Sequence, residues 1–491
     1  MTNANGPRTS FSKPIANRFN KNRKVIVVGG GLAGIAAAIS LSECGYRVTL
    51  VEAKSRLGGR VGSFDDVSSG QPIDYCQHVG MSCCTNFVEF LKLLSIEKEW
   101  KKQETLHFFS KHGVHLPLRG APLPAPMHLS GLLLKWPELG WNDRIQIAWG
   151  LFRLMRLKPV VDHDEALAID WLRSIGQKPS AIANFWATIL VSALGEQIDR
   201  VTLGAARKVL IDGFATNRSG YHLLVPQQRL SSLIGSSAIA KLEASGAVIQ
   251  LSSPVKGLRW KESVCQGVEL SDGSVLNADS VVVAVPWHQV DRLFLDHRMD
   301  APETVRLWLD RPCTLESSPI TGVHTWWDKP WLDQPHAILI DRLCQWVFEH
   351  PAAQLERSNE YYYQIVISGS RQLPRGRQQA TLDAVVEDLR AIFPKAVVAN
   401  LLRGKVVTDP NAVFSVAKGA LKARPRVDLF AENRLWLCGD WTNTGWPATM
   451  EGAIRSGFAV TESVTQRDGE MQPWLAKDLA RGWLSRVLIR G

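Results

Sequence analysis

Apolar, β-branched runs recur along the chain at wide intervals, and most of them end at glycine or proline. Lys24–Val28 (KVIVV) and Arg47–Val51 (RVTLV) show little polar/apolar alternation, the pattern of strands buried on both faces. Between them, Leu32–Glu43 reads as a helix, with Gly45 placed to end it. Ser280–Val285, stopped by Pro286, and Arg434–Cys438 repeat the buried-strand pattern far downstream. Buried strands joined through helices predict an α/β fold around a parallel sheet. Gly246–Trp260 predicts a strand pair, and the segment from Cys265 predicts a hairpin turning at Asp272-Gly273.

Two uncharged runs are long enough to raise the question of a membrane span. Val25–Ser42 contains Gly29, Gly30, Gly31 and Gly34, a cluster that a spanning helix has no use for. Pro179–Gly195 is shorter than a bilayer and carries Ser180, Asn184 and Ser192, so it reads as a core helix. Leu129–Val161 mixes Trp136, Trp141 and Trp149 with Lys135, Arg144, Arg153, Arg156 and Lys158. That mixture suits either ordinary core or an element lying in a membrane interface. In the C-terminal segment 466–491, Leu475, Leu479, Trp483 and Val487 recur every four residues, which predicts an amphipathic helix, either docked on the domain or lying on a membrane surface, the second being favoured.

The first strand–helix–strand unit carries chemistry. Gly29, Gly31 and Gly34 form GxGxxG directly after a strand and at the start of a helix. In dinucleotide sites the first glycine makes the tight turn, the second admits the pyrophosphate, and the third lets helix pack on strand. The opening helical residues, Leu32 and Ala33, offer N–H groups to the phosphates. Glu52, followed by Ala53, stands at the end of the second strand, where an acid accepts ribose hydroxyls.

At 491 residues the chain has room for two domains. Its net charge of +10 is uneven: Arg8, Lys13, Arg18, Lys21, Arg23 and Lys24 crowd residues 1–24, where there is no acid. Residues 1–23 read as a basic tail without structure, and an organelle transit peptide has the same chemistry. The missing apolar stretch excludes a secretory signal. No basic stripe interleaved with aromatics marks the body, so nucleic acid is not expected as a partner. The eight cysteines show no CxxC pair, which argues against zinc and for reduced thiols in the cytoplasm. A redox role for the adjacent Cys83-Cys84 is the alternative.

After the second strand comes LGGR, with Arg56, Gly58, Gly59 and Arg60. This run resembles the amine oxidase and phytoene desaturase superfamily of flavoproteins. The resemblance implies FAD as cofactor, with these glycines and arginines at its phosphates and beneath the flavin, and Val255 at its adenine side. It also implies a Rossmann-like FAD-binding domain of the GR2 type, with an inserted α+β substrate domain. Segments 24–100, 225–290 and 405–465 then make the FAD domain, and 101–224 and 291–404 the substrate domain. At the far end, Gly439-Asp440 follows the last strand, with Asp440 placed to accept a ribityl hydroxyl. Pro447 delays the next helix to Ala448, Thr449 and Met450, whose N–H groups face the flavin.

Three segments narrow the resemblance: GDWTNTGWPATMEGAIRSG, IDYCQHVGMSCCTNFVEFL, and PNAVFSV with RPRVDLFAENRLWLCGDW. Together they resemble the hydroxysqualene dehydroxylase family, over most of residues 24–465. Asp74, Gln77 and His78 match that family's Asp-x-x-Gln-His pattern. The resemblance implies reductive conversion of hydroxysqualene to squalene, a long-chain isoprenoid substrate in an apolar tunnel, and upstream squalene-pathway synthases as partners. The reduced thiols, the C-terminal periodicity and segment 129–161, read from the residues themselves, predict a cytoplasmic protein held peripherally at the inner face of a membrane. His78 is the candidate acid, with Asp74 orienting it and Gln77 holding the departing hydroxyl. Carotenoid desaturation, amine oxidation and a non-enzymatic, membrane-tethered flavin carrier are the rival readings.

Overall fold

The computed structural model describes residues 22–66, 71–136, 138–158, 161–296, 298–311, 314–349, 360–374 and 376–490. Most of the basic tail, residues 1–21, lies outside these, as do positions 137, 159 and 160 of the 129–161 segment. Within them, the Arg23 guanidinium pairs with Asp468.

Five parallel strands make the central sheet, in the order Val248–Gln250, Arg47–Val51, Lys24–Val28, Ser280–Val283, Leu435–Leu437. Their apolar side chains are largely buried because helices cover both faces. Two expected strands are shorter than their apolar runs. The Ser280 strand stops at Val283 because its neighbour has already left the sheet at Val28 to form the glycine turn. The last strand keeps only Leu435–Leu437.

The expected pairing within Gly246–Trp260 is not what forms. Val248–Gln250 joins the parallel sheet beside Arg47–Val51. Val255–Lys261 instead pairs antiparallel with Val264–Leu270, in a three-stranded sheet completed by Val275–Asn277. Ser252 at φ +53 and Pro254 redirect the chain between the two.

A second, seven-stranded sheet takes strands from both intervening segments. Its order is Leu401–Phe414, Ser317–Trp327, Tyr361–Ser368, Trp346–Glu349, His336–Leu339, Thr105–Phe109, His115–Arg119. Leu401–Phe414 runs past position 404, so the sheet extends beyond the boundary drawn there. Pro179–Leu194 forms one core helix that widens to π geometry at Ile182–Ala187 and ends at Gly195, φ +64. Among the described residues, no helix is long and apolar enough to cross a membrane.

The expected C-terminal amphipathic helix is largely absent. Residues 470–482 run without helix, and only Trp483–Leu488 is helical. Backbone N–H groups of this strap are taken by side chains of the body: Trp474 and Leu475 donate to Glu462 Oε1 (2.8 Å each), and Ala476 donates to Asn86 Oδ1 (2.9 Å). Those contacts outcompete a helix that Gly482 already weakens.

Leu32–Glu43 is capped by Cys44, with Gly45 just beyond at φ +90. Gly45 N–H donates to Ser42 O (2.9 Å) and Tyr46 N–H to Leu41 O (3.2 Å), closing the helix end. Across this helix lies the last long one, Met450–Arg467. Ser40 Oγ meets Thr461 Oγ1 at 2.6 Å, and a Cβ on Gly457 would lie 2.5 Å from Ala33 O and 2.8 Å from Ala36 Cβ. Only glycine permits that approach. Gly457→Val is therefore expected to lose about 1–3 kcal/mol by overpacking against backbone, read as a lower melting temperature together with weaker cofactor retention.

Candidate functional site

The glycine turn opens with Gly29, at φ +108, donating its N–H to Val51 O (2.8 Å). A Cβ on Gly34 would run into Gly29 O, so helix and turn touch directly. At Gly31 the space a side chain would take is open, with nothing within 4 Å. Leu32 and Ala33 start the helix at this opening. Its first turn carries no acid and its N-cap Gly31 supplies no side-chain bond, so a phosphate fits the N-terminus. Glu52 is buried on the same rim, its carboxylate accepting Gly30 N–H (2.6 Å) and Lys54 N–H (2.8 Å). Ala53 is exposed beside it. Ser252 and Ser253 donate to Lys54 O and Glu52 O (2.9 Å each), which brings the strand opened by Val255 to this end. The cradle therefore fits a dinucleotide.

The LGGR run stacks on the turn: Gly58 N–H donates to Gly30 O (2.8 Å), and Gly59 lies against Gly31. Arg56 folds back onto its own loop, donating to Leu57 O and Gly59 O (3.3 Å each) and covering the Tyr75 ring. Arg60 reaches outward. Its guanidinium donates to Ala412 O (2.8 Å) and to Asp440 Oδ1 (2.6 Å). The two glycine-bearing ends of the chain thus meet through one ion pair.

At the second end, Gly439 N–H donates to Ser456 Oγ (2.8 Å), tying the loop to the helix that follows it. Thr449 caps that helix by accepting Gly452 N–H (3.1 Å), with Ala448 buried before it and Met450 as its first residue. Three residues here escape a reading of the sequence alone. Arg424 donates to the carbonyls of Thr442, Trp446 and Asp440, and so shapes the whole 440–446 loop. Burial pulls its pKa down to about 10, which leaves it charged at neutral pH. Glu451 is buried and accepts Phe87 N–H (2.8 Å), Asn86 Nδ2 (2.9 Å) and Arg455 Nε (2.7 Å). Ser456 completes the set. The Glu451–Arg455 spacing was the one visible signal, a helical i, i+4 pair.

Asp74, Gln77 and His78 follow the LGGR run by way of a hairpin, Ser63–Asp66 with Gln71–Asp74. The structure does not unite them as expected. Asp74 Oδ1 accepts Ser63 Oγ (2.5 Å) and Leu230 N–H (3.1 Å), so it ties the hairpin to the chain at Leu230 rather than orienting His78. His78 Nδ1 instead lies 3.0 Å from Cys76 O, which makes Nδ1 the protonated nitrogen and leaves Nε2 as an acceptor. Burial, with the nearby Arg60 charge adding to it, holds His78 below the ordinary imidazole range. At neutral pH it therefore carries little of the proton expected of it. Gln77 stays with His78, donating to its carbonyl (3.2 Å). The cysteines among the described residues are all free, and burial pushes the Cys76 and Cys438 thiols up to about 12.

Two outcomes are expected. Asp440→Ala should release Arg60 and lower cofactor occupancy, read from visible absorbance per protein. Burial raises the Asp74 carboxyl to about 6 from 3.8, so its folded form prefers the proton. The stability this gives is complete below the unfolded value and is lost as pH rises through 6, about 3 kcal/mol in all. Asp74→Asn keeps an acceptor for Ser63 and Leu230, so its melting temperature relative to the parent should rise between pH 4 and pH 7.

Comparison with known proteins agrees with this arrangement. The model of the family described as flavin containing amine oxidoreductase matches residues 32–465. The 15-cis-phytoene desaturase of Solanum lycopersicum is 24% identical over 473 residues, covering 91% of this chain and 79% of the relative. That of Synechococcus elongatus is 23% identical, covering 91% and 97%. Among solved structures, an oxidoreductase from Methanosarcina mazei aligns with a TM-score of 0.67 at 17% identity, over 89% of this chain and all of that one. Putrescine oxidase bound to putrescine aligns at 0.66 and 16% identity, over 91% and 99%. At such identities the solved structures speak for the fold. The family match spans both ends that Arg60 and Asp440 join, and on it the chain belongs to the flavin containing amine oxidoreductase family, as an FAD-dependent oxidoreductase.

Proposed function

We propose that the protein acts on a long isoprenoid, removing the hydroxyl of hydroxysqualene to give squalene. The observation that carries the isoprenoid class is the similarity, over nine-tenths of the chain, to enzymes named for phytoene, itself a long isoprenoid hydrocarbon. The Asp74-x-x-Gln77-His78 pattern supports the dehydroxylation. Among the tryptophans of the 439–449 loop, Trp446 is not a free cage residue: Lys208 Nζ lies 4.6 Å from its ring centroid and the Arg455 guanidinium 5.4 Å. An amine-binding aromatic cage needs free ring faces.

In the proposed reaction the allylic C–O bond breaks, the oxygen takes a proton and leaves as water, and the carbon takes a hydride. Bound FAD supplies that hydride when reduced, and an external donor must then reduce it again. The chain supplies the rest. His78 Nε2 accepts from the substrate hydroxyl when neutral and donates to it when protonated, while its Nδ1–H is anchored on Cys76 O. Burial, with the Arg60 charge adding to it, keeps the imidazole pKa low, which makes the protonated form a stronger acid in a smaller population.

Desaturation is the second reading, favoured by the same relatives. It runs the electrons the other way, from substrate to oxidised FAD. Anaerobic mixing separates the two. Reduced enzyme with hydroxysqualene should show flavin reoxidation and squalene formation at one rate, whereas oxidised enzyme bleached by phytoene would replace dehydroxylation with desaturation. His78→Ala is expected to retain FAD and slow the single turnover by about 100-fold or more. The parent rate should climb as pH falls from 7.5 towards 6, because protonated His78 becomes more abundant. A flat profile with an unchanged variant would remove His78 from the chemistry.

A further inference from the structure

The helix Trp141–Arg156 has two unlike faces. Ile147, Gly150, Leu154 and Met155 are buried against the core. On the other side Trp141, Ile145 and Trp149 are 68%, 65% and 51% exposed, and Phe152 is exposed with them. At 3.6 residues per turn these four side chains fall within an arc of roughly 80°, and Trp149 and Phe152 stack with centroids 5.7 Å apart. The short helix Trp483–Leu488 continues the surface. Arg156 donates to Val487 O (3.3 Å) and Leu488 O (3.4 Å), and Arg490 N–H donates to Met155 O (3.0 Å). Ser485 turns inward, bonding Ala125 O and Ala215 O (2.8 Å each), so Trp483 and Val487 point out, 68% and 67% exposed.

The charges that this helix leaves unburied have one sign. Arg144 lies over the Trp141 ring, 4.9 Å from its centroid, and Arg153 is exposed along the helix. The one acid of the helix, Asp143, is buried and paired with Lys178 (3.5 Å). Aromatic and aliphatic side chains rimmed by guanidinium groups match the interface of a bilayer that carries negative headgroups. A second copy is a poor match, because a two-fold pairing of this face sets its arginines against themselves.

We propose that this face, Trp141, Ile145, Trp149 and Phe152 with Trp483 and Val487, seats the protein on an anionic lipid bilayer. The inference rests on this surface and not on the isoprenoid reading, so each stands or falls alone: turnover is measurable in detergent micelles, and docking is measurable without substrate. The test is co-sedimentation of the FAD-loaded full chain with vesicles of phosphatidylcholine and phosphatidylglycerol at low salt. Ile145→Glu/Trp149→Glu, checked for unchanged flavin absorbance and melting, should reduce partitioning at least tenfold. Arg153→Gln should reduce it about fivefold, and brominated acyl chains should quench tryptophan fluorescence in the parent alone. Equal partitioning of parent and double variant overturns the proposal, as does a parent that stays in the supernatant. A parent dimer that the double variant dissolves, without vesicle binding, assigns the face to a second copy and overturns it equally.

Discussion

The cofactor cleft depends on holding together two stretches of chain that are far apart in sequence. One is the glycine turn with the LGGR run; the other is the loop from Gly439 to Thr449. Neither is self-supporting. The contact of Gly457 with the Ala33–Ala37 backbone sets the distance between the two helices that carry them, and the Arg60–Asp440 ion pair closes the gap beyond. Small residues are required where the helices cross, since a backbone oxygen cannot yield as a side chain does. Ser40 and Thr461 add a hydrogen bond within the same buried seam.

Buried charge then shapes the loop that this seam positions. Arg424 donates to three carbonyls that have no regular secondary structure to satisfy them, and Glu451 accepts N–H groups from the start of helix Thr85–Leu93. Removing one side of such a set leaves the other buried and unpaired, the costly case for a charge in a low-dielectric interior. That cost is what holds an irregular loop in one conformation beside the cofactor cradle.

The same desolvation decides how the candidate chemistry runs. It raises the Asp74 carboxyl to about 6 and lowers the His78 imidazole, bringing both away from their usual values toward their neutral forms. Asp74 serves architecture, through Ser63 and Leu230, while His78 is anchored by its own neighbour's carbonyl.

The chain's local patterns were enough to identify the strand–turn–helix–strand unit. Lys24–Val28, Leu32–Glu43 and Arg47–Val51 need only short-range signals: β-branched runs, a helical stretch and glycines at fixed offsets. Thr449 and Pro447 mark the last helix start for the same reason. The partnerships were not legible. Whether Val248–Gln250 pairs with Val255–Lys261 or with Arg47–Val51 turns on a bend at Ser252–Pro254 and on which strand edge is free. The periodic C-terminus lost its helix because Glu462 and Asn86, distant in sequence, bind its backbone. Asp74 stands four residues from His78 yet bonds elsewhere, and Arg60 finds Asp440 across 380 positions. Local propensity carries no information on such contacts; they arise from the packing of the two sheets and the crossing of two helices.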